Sequence, residues 1–559
     1  MFLNHRRRTM RSVAAAIAGL ALVAGCTSGG TKASSSKAEI TIFNGASGQI
    51  AINFNPYSTT GSQLQPSYGI IYEPLFYYDN YTGAAPEPWL GTEYSWNSDN
   101  TKLTIKTRQG VKWTDGQAFS AKDVVFTFNM VLKNKAINST GFNGTPALVD
   151  DNTLTITWPQ PSFFEAANVL GRAFIVPEHI WKDLDPASTV NEKPVGTGAY
   201  MLDQFTSQFY TLKKNPDYYV KGKPEPDTLR YISLADNNAA LAALKAGQVD
   251  WMSAFIPDIA NQLSTNKDLT WTNTPQNQAA LFTCSNAALG CKGPQTDVAV
   301  RKAIYTGIDR DQLNALAFDK QNSPVSPTFG LLPRDEKWIS SNVEKQAPST
   351  ADATKAEKFL TDAGYAKGSD GIYAKDGQRV SMTVQVVTGW TDFIDAVNAM
   401  SQQLKAIGIE LVPSQVSWQE WTDAKSQGNF ELSMDSIGQQ AGPDLYYIYN
   451  YYYTTANTVP VGQAANPNYA RFSDATVDAA VNTLRSTSDP EKQKSLYGEI
   501  QKVIVDQLPY IPVLTNSCLT EFNTAHATGW PTKDNVYAFP ATWSNPDAGQ
   551  ILRKITVKK

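Results

Sequence analysis

The stretch LTIKTRQGVKWTDGQAFSAKDVVFTF, residues 103–128, carries the clearest local structure in the chain. Its first five residues alternate apolar and polar side chains, as in a strand with one buried face. Ser120 then precedes an apolar helical run, and Asp123 follows three positions later, which is typical of a capping box. The stretch therefore predicts a strand followed by a helix that opens at Ser120.

The same mixture of strands and helices extends along the chain. Residues 39–43 and 154–158 also alternate like strands. Residues 380–387 and 409–412 are predicted strands that enclose one helix, and this order favours a parallel α/β sheet. Helical periodicity is present at 237–246, 298–308, 354–363, 392–407 and 490–507.

The amino terminus has the features of a secretory signal. Arg6, Arg7, Arg8 and Arg11 precede an apolar run at 13–24, which is short of the ~20 residues that span a bilayer. Cys26 directly after Val-Ala-Gly resembles a bacterial lipobox. This resemblance implies that residues 1–25 are removed, that Cys26 is acylated, and that residues 26–37 form a flexible linker.

Length and charge limit the function classes. The 559 residues are enough for about three domains. The formal charge of −4 becomes −8 once the four leader arginines are removed. An acidic chain without a basic stripe is a poor nucleic-acid binder, because that affinity comes largely from Lys and Arg.

Three cysteines follow Cys26. Cys284 and Cys291 have a spacing that suits a small disulfide loop outside the cytoplasm. Cys518 has no predicted disulfide partner. It lies in an apolar run that is typical of a buried strand, so we expect an inert packed thiol.

Local signals for catalysis are missing from the sequence. Beyond the leader only His179 and His526 are present, and there is no HExxH, paired CxxC, Walker-type loop or GxSxG. Two carboxylates brought together by the fold could still hydrolyse a glycoside, since that chemistry has no obligatory local spacing.

Aromatic residues make up 11% of the chain, with 13 Trp, 25 Tyr and 23 Phe. Several tryptophans lie beside Gly, Pro, Asn or Asp rather than inside apolar runs. A flat apolar face with a polar edge suits a sugar ring. The alternative is that most of these side chains simply pack in the core or at its rim.

The order of several segments resembles the peptide, nickel and oligosaccharide group (family 5) of extracytoplasmic solute-binding proteins, which deliver ligands to ABC importers. The matching segments are IYEPL at 71–75, WL at 89–90, the stretch at 103–128, GTGAY at 196–200, ALKAGQVD at 243–250, VRKAIYTGIDR at 300–310 and LPYIPV at 508–513.

The resemblance implies an α/β, periplasmic-binding-protein-like clamshell of two lobes, in the large three-domain variant with mixed β-sheets and a hinge. Domain I would comprise 38–82, 195–282 and 519–559. Domain II would comprise 83–194 and domain III 283–518. Closure of the lobes on a ligand would exclude water and present one form to the transporter.

Peptide-binding members carry an aspartate in the third domain that pairs with the ligand's amino group. In this chain Gln440 lies near the expected position, within NFELSMDSIGQQAGPD at 429–444. Asp435 or Asp444 could substitute for it, so an oligopeptide binder remains the alternative function.

Other segments resemble the branch that binds cello-oligosaccharides. They are NFNP at 53–56, VDW at 249–251 with FIP at 255–257, GWTD at 389–392, and GWPT at 529–532 with YA at 537–538. Trp390 lies between a predicted strand end and a helix start, a favoured place for ligand contacts.

We therefore predict a monomeric lipoprotein on the outer face of the cell membrane that binds oligosaccharides, with β-linked glucose units as the expected ligand, and serves an ABC permease. We expect no catalytic residue, cofactor or metal; a glycoside hydrolase is the least favoured alternative. Glu73 could instead hold its own turn, and Asn237 could cap its helix. The predicted stacking residues are Trp251, Trp390, Trp418 and Trp543, and the predicted polar contacts are Asn53, Glu73, Asn237 and Asp392.

Overall fold

The computed structural model describes residues 38–58, 67–465 and 467–558. The predicted leader, the linker and the acylation site Cys26 lie outside these ranges. Within the ranges, no helix combines the length and the apolar character that crossing a membrane requires.

The predicted helices are present with small shifts at their ends. The Ser120 backbone N–H donates to Asp123 at 3.0 Å and the Lys122 N–H donates to the Ser120 hydroxyl at 3.3 Å, so the predicted capping box is confirmed. The helices are α1 Ala121–Lys133, α2 Glu165–Ala167, α3 Glu178–Trp181, α4 Asn237–Lys245, α5 Ile259–Leu263, α6 Val298–Gly307, α7 Arg310–Ala317, α8 Ala353–Asp362, α9 Thr391–Ala406, α10 Trp418–Gln427, α11 Leu445–Tyr453, α12 Ala475–Leu484, α13 Pro490–Gln507 and α14 Asp547–Lys554.

The strands vary from two to fifteen residues in length. In chain order they are β1 Glu39–Phe43, β2 Phe76–Tyr77, β3 Glu87–Pro88, β4 Gly91–Trp96, β5 Lys102–Thr107, β6 Thr145–Asp150, β7 Thr153–Thr157, β8 Tyr200–Phe205, β9 Phe209–Lys214, β10 Thr228–Ile232, β11 Trp251–Met252, β12 Leu269–Thr283, β13 Ala366–Lys367, β14 Tyr373–Lys375, β15 Gln378–Arg379, β16 Ser381–Val387, β17 Glu410–Val416, β18 Leu432–Ile437, β19 Tyr510–Asn523, β20 Ala527–Thr528 and β21 Thr556–Val557.

The largest sheet has ten strands in the order β17-β16-β18-β12-β19-β11-β1-β10-β9-β8. Its middle is the antiparallel pair β12 and β19, which are joined from Leu269 and Asn523 to Phe282 and Tyr510. Strand β16 runs parallel to both β17 and β18, and α9 connects β16 to β17. The predicted parallel strand–helix–strand unit is therefore confirmed.

A separate four-stranded sheet has the order β4-β5-β7-β6 and lies wholly within residues 83–194. The proposed boundary at 282/283 falls at the last residue of β12, whereas the boundary at 518/519 falls inside β19. The segments assigned to domains I and III thus share one continuous sheet.

The three cysteines within the described residues agree with the sequence predictions. Cys284 and Cys291 form a disulfide with their Cα atoms 5.4 Å apart. Cys518 is buried within β19, and burial raises the pKa of its thiol to about 12. A thiol that stays protonated is a poor nucleophile, so Cys518 is a packing residue.

Candidate functional site

A cavity of about 860 Å³ lies where several segments that are far apart in the sequence meet. One wall comes from α1 and the irregular segment after it, and a second from the π-helical turn Asn168–Arg172. The remaining walls come from residues 56–58 and 543–546 and from Gln440 and Ala441. The volume is in the range of cavities that enclose a sizeable small molecule.

Aromatic side chains form much of the cavity lining. Trp543 is the one tryptophan among the described lining residues, and 37% of its surface is exposed. Tyr68 packs on Phe174 with ring centroids 4.4 Å apart, and the Tyr57 hydroxyl donates to the Phe174 carbonyl oxygen at 2.8 Å. The aromatic lining residues are Tyr57, Tyr68, Tyr78, Phe128, Phe142, Phe174 and Trp543.

Three asparagines in the lining have unused acceptors. The side-chain oxygens of Asn80, Asn168 and Asn545 are buried and accept no hydrogen bond from any described residue. A buried acceptor without a partner is costly, but these oxygens have almost no surface open to the cavity, so a ligand would reach them only after the side chains turn.

The cavity is almost free of charge. Arg172 is the single ionisable cation among the described lining residues, and none of them is a carboxylate. Burial raises the pKa of Tyr68 to about 12 and that of Tyr57 still higher, so both hydroxyls remain neutral donors.

Gln440, which the family resemblance puts near the expected peptide-anchoring aspartate, lies in the cavity wall. Its Nε2 donates to the Tyr452 hydroxyl at 3.2 Å, and its backbone has a φ of 63°. A non-glycine residue in this conformation is held by its surroundings. Gln440 thus contributes a neutral amide to this part of the wall.

Both aspartates that could substitute for the anchor are engaged by the protein itself. Asp435 accepts a hydrogen bond of 2.5 Å from the Lys425 ammonium group. Asp444 caps α11 through the Tyr446 N–H and also accepts from the Tyr497 hydroxyl. Burial raises the pKa of Asp444 to about 6. Neither carboxylate is left to pair with a ligand.

Trp390 and Trp418 lie together just beyond the carboxyl ends of the parallel strands β16 and β17. Their ring centroids are 5.7 Å apart, and each is close to the buried Trp421, at 5.2 and 5.3 Å. Trp418 is 57% exposed. We call these three residues the tryptophan cluster. The expected position of Trp390, between strand and helix, is confirmed, but none of the cluster lines the cavity.

Trp251 was expected to stack on a ligand, and the structure corrects this. The side chain has 0% exposure and packs against Phe522 and Trp530. Its Nε1 donates to the Pro540 carbonyl oxygen at 2.9 Å. A ring without exposed surface offers no face to a sugar, so Trp251 is a core residue.

Glu73 is also a core residue and does not line the cavity. It has 0% exposure and accepts hydrogen bonds from the hydroxyls of Tyr218, Tyr219 and Thr197 at 2.8, 3.0 and 2.9 Å. Burial raises its pKa, and the charge of Arg553 opposes that shift. The alternative interpretation, that Glu73 holds its own region of the fold, agrees with these contacts.

The other polar candidates do not line the cavity either. Asn53 accepts from the Asn55 N–H at 3.0 Å and donates to Ser58 at 3.2 Å, which shapes the loop that carries Tyr57. Asn237 is exposed, and Asp236 rather than Asn237 caps α4. Asp392 lies in the first turn of α9, where it accepts from the Phe393 N–H at 2.9 Å.

Sequence reasoning missed most of the cavity lining. Only Trp543 among the predicted ligand contacts is part of it. Tyr57 directly follows the NFNP segment at 53–56, and Tyr68 lies twelve residues after Pro56. Asn168 and Arg172 lie in a π-helical turn, and no pattern in the sequence marks such a turn.

No three His, Cys, Asp or Glu side chains in the described ranges are grouped so as to hold a metal ion. Glycoside hydrolysis requires a pair of carboxyl groups beside the bound sugar. The described lining of the cavity contains none.

Comparison with known families and proteins gives consistent matches. The sequence profile of bacterial extracellular solute-binding proteins, family 5 (middle), matches residues 85–458. Protein XP55 of Streptomyces lividans is 29% identical over 416 residues, which is 73% of this chain and 72% of the relative. The oligopeptide-binding protein AppA of Bacillus subtilis is 25% identical over 428 residues, 73% of this chain and 74% of the relative.

Solved structures match over a larger share of the chain. Two are of a periplasmic oligopeptide-binding protein from an oligopeptide ABC transporter of Thermotoga maritima. One has a TM-score of 0.84 at 24% identity; the other, with bound mannohexaose, has a TM-score of 0.78 at 25% identity. Each covers 93% of this chain and 99% of its own.

Proposed function

Since this chain belongs to the bacterial extracellular solute-binding proteins of family 5, we propose that it captures an uncharged oligosaccharide for an ABC importer. The family's relatives are binding proteins, so the ligand is taken up and passed on unchanged. Oligosaccharides built of β-linked glucose are the ligands we propose first.

One observation carries this proposal: the cavity is aromatic and has no carboxylate among its described lining residues. Aromatic faces stack on the apolar faces of sugar rings. The neutral amides of Asn80, Asn168 and Asn545 add polar groups without charge to the lining. An uncharged, hydroxyl-rich ligand satisfies both features of the lining.

The same lining disfavours a peptide. A free amino terminus carries a positive charge, and burying it without a carboxylate partner is costly. Gln440 is neutral, and Asp435 and Asp444 are paired within the protein. Arg172 alone could attract a carboxylate, but it offers nothing to an ammonium group.

The Thermotoga maritima neighbour with mannohexaose supports an oligosaccharide, since it has this fold with a sugar bound. AppA of Bacillus subtilis, an oligopeptide-binding protein, is the relative that favours the alternative. Oligosaccharides and oligopeptides are therefore the two ligand classes to compare in a binding experiment.

We further propose how the protein is placed and organised. Acylation of Cys26 would anchor the chain to the outer face of the cell membrane, and residues 26–37 would act as the flexible linker. The protein would work as a monomer. Domains I, II and III, with the boundaries given above, would close on the ligand about β12 and β19.

Isothermal titration calorimetry of the mature protein tests the ligand class. The titrants are cello-oligosaccharides and manno-oligosaccharides of two to six units and a mixed panel of peptides of two to nine residues. We expect heat with one sugar series and none with the peptides. Tight peptide binding without sugar heat would establish the oligopeptide alternative. Release of shorter sugars or new reducing ends during incubation would instead indicate a hydrolase.

A further inference from the structure

The side chain of Lys425 is a buried primary ammonium group surrounded by aromatic rings. Its Nζ lies 3.6 Å from the ring centroid of Trp421, 4.6 Å from that of Tyr469 and 5.8 Å from that of Phe282. The same nitrogen donates to Oδ2 of Asp435 at 2.5 Å. The side chains of Lys425 and Asp435 are only 9% and 16% exposed.

This arrangement has the parts that proteins use to bind amines. Aromatic faces attract a cation through their π electrons, and a carboxylate supplies the opposite charge. In this protein the amine belongs to the chain itself and reaches the site from α10. Burial lowers the pKa of Lys425 and raises that of Asp435, and each charge opposes the shift of the other.

The site adjoins the tryptophan cluster. Trp418, Trp421 and Lys425 follow one another at spacings of three and four on α10, so they lie along one face of the helix. Trp421 therefore contacts Lys425 while it also lies against Trp390 and Trp418. Asp435 lies on β18, five residues before Gln440 of the cavity wall.

We propose that Lys425 is the built-in occupant of a recognition site for a primary ammonium group, formed by Asp435, Trp421, Tyr469 and Phe282. While Lys425 fills the site, Asp435 cannot pair with the amino group of a ligand. Lys425 thus keeps this carboxylate from pairing with any other ammonium group. The consequence for ligands rests on the proposed function, whereas the existence of the ammonium site does not.

Chemical rescue tests the site directly. Lys425→Ala removes atoms equivalent to propylamine, so n-propylammonium chloride is the matching probe. We expect the probe to raise the thermal unfolding midpoint of the variant in a saturable way, relative to sodium chloride at equal ionic strength. At ten times its dissociation constant, the ratio of folded to unfolded protein should rise about elevenfold.

Three controls make the test specific. The double variant Lys425→Ala/Asp435→Asn lacks the carboxylate charge and should show no rescue. Lys502→Ala removes an exposed lysine that pairs with Asp506, and it should show none either. Propanol matches the probe in size without its charge and should leave Lys425→Ala unchanged. Equal shifts in the single and double variants, or no shift in either, would overturn the proposal.

Lys425→Ala leaves a buried carboxylate unpaired and could fail to fold in plain buffer. The test is then refolding from urea with and without the probe. We expect folded Lys425→Ala only with the probe, and folded double variant in both conditions. A single variant that stays unfolded with the probe contradicts the proposal, and so does a double variant that does not fold.

These measurements contain no sugar, so they are independent of the proposed function. If the wild type binds no oligosaccharide but the rescue succeeds, the ammonium site stands and the ligand assignment fails. If sugar binds and the rescue fails, the ligand assignment stands and the role of Lys425 is rejected.

Discussion

The indole nitrogen of Trp251 donates a hydrogen bond of 2.9 Å to the carbonyl oxygen of Pro540. This contact ties strand β11 to the segment that reaches the cavity three residues later, at Trp543. A tryptophan without exposed surface thus anchors the backbone that presents a partly exposed one. The sequence predicts that both side chains stack on a ligand. In the structure Trp251 is a core residue, whereas Trp543 lines the cavity.

Trp251→Phe should destabilise the fold, because it removes the donor and leaves a buried carbonyl oxygen unpaired. We expect the free energy of unfolding to fall by about 1–3 kcal/mol, measured by urea denaturation. Trp418→Phe is the control, since that exposed ring should change stability by less than about 0.5 kcal/mol. An unchanged urea midpoint for Trp251→Phe would mean that this contact does not support the fold.

Trp543→Ala should weaken oligosaccharide binding, because it removes an aromatic face from the cavity wall. We expect a loss of about 1–3 kcal/mol, or roughly 5- to 150-fold in affinity, measured by calorimetry. Phe255→Ala is the matched control, since Phe255 is an exposed aromatic residue outside the cavity lining. Equal losses in both variants would show that the effect is not local to the cavity.

Trp390→Ala tests whether the tryptophan cluster is a second contact for the sugar chain. If long oligosaccharides extend to it, affinity for them should fall by about 1–3 kcal/mol, while short ones bind as before. Trp418→Ala should act in the same direction, since its ring is the more exposed of the pair. Unchanged affinity for every sugar length would remove Trp390 from the site.

Glu521 should make stability depend on pH. It is fully buried on β19, and neither carboxyl oxygen has a hydrogen bond of normal geometry among the described residues. Burial raises its pKa from 4.5 to about 8, against a smaller opposing effect of the nearby Ala254 backbone N–H. Because the folded-state pKa is the higher one, its stabilising contribution is complete below pH 4.5 and is lost as the pH rises to about 8.

The variant Glu521→Gln removes this dependence while keeping the size of the side chain. Relative to the wild type, it should gain on the order of 3 kcal/mol between pH 5 and pH 9. Urea denaturation at several pH values measures the difference. A constant difference across that range would show that Glu521 keeps an ordinary pKa.

The disulfide between Cys284 and Cys291 should contribute to stability but not to binding. The two residues are seven positions apart, and closing a loop of this length stabilises by about 2–3 kcal/mol. Cys284→Ala/Cys291→Ala should lose that amount in urea denaturation, and sugar affinity should be unchanged. A reductant should reproduce the loss in the wild type and have no effect on the double variant.

The sequence by itself determined the local elements and the family. The alternation at 103–107, the capping residues Ser120 and Asp123, and the unit from β16 through α9 to β17 all formed as predicted. These features depend on neighbours in the chain, where side-chain periodicity and capping act over a few residues. The spacing of Cys284 and Cys291 belongs to the same class.

Only the tertiary structure decided which residues meet in the cavity. Trp251 and Trp543 both lie beside short polar residues in the sequence, but Phe522 and Trp530 pack against the first, whereas the second keeps 37% of its surface exposed. Asp435 is unavailable because Lys425, on another element, faces it. Burial and pairing depend on contacts between residues far apart in the chain, so neither exposure nor charge at the site is encoded in any short segment.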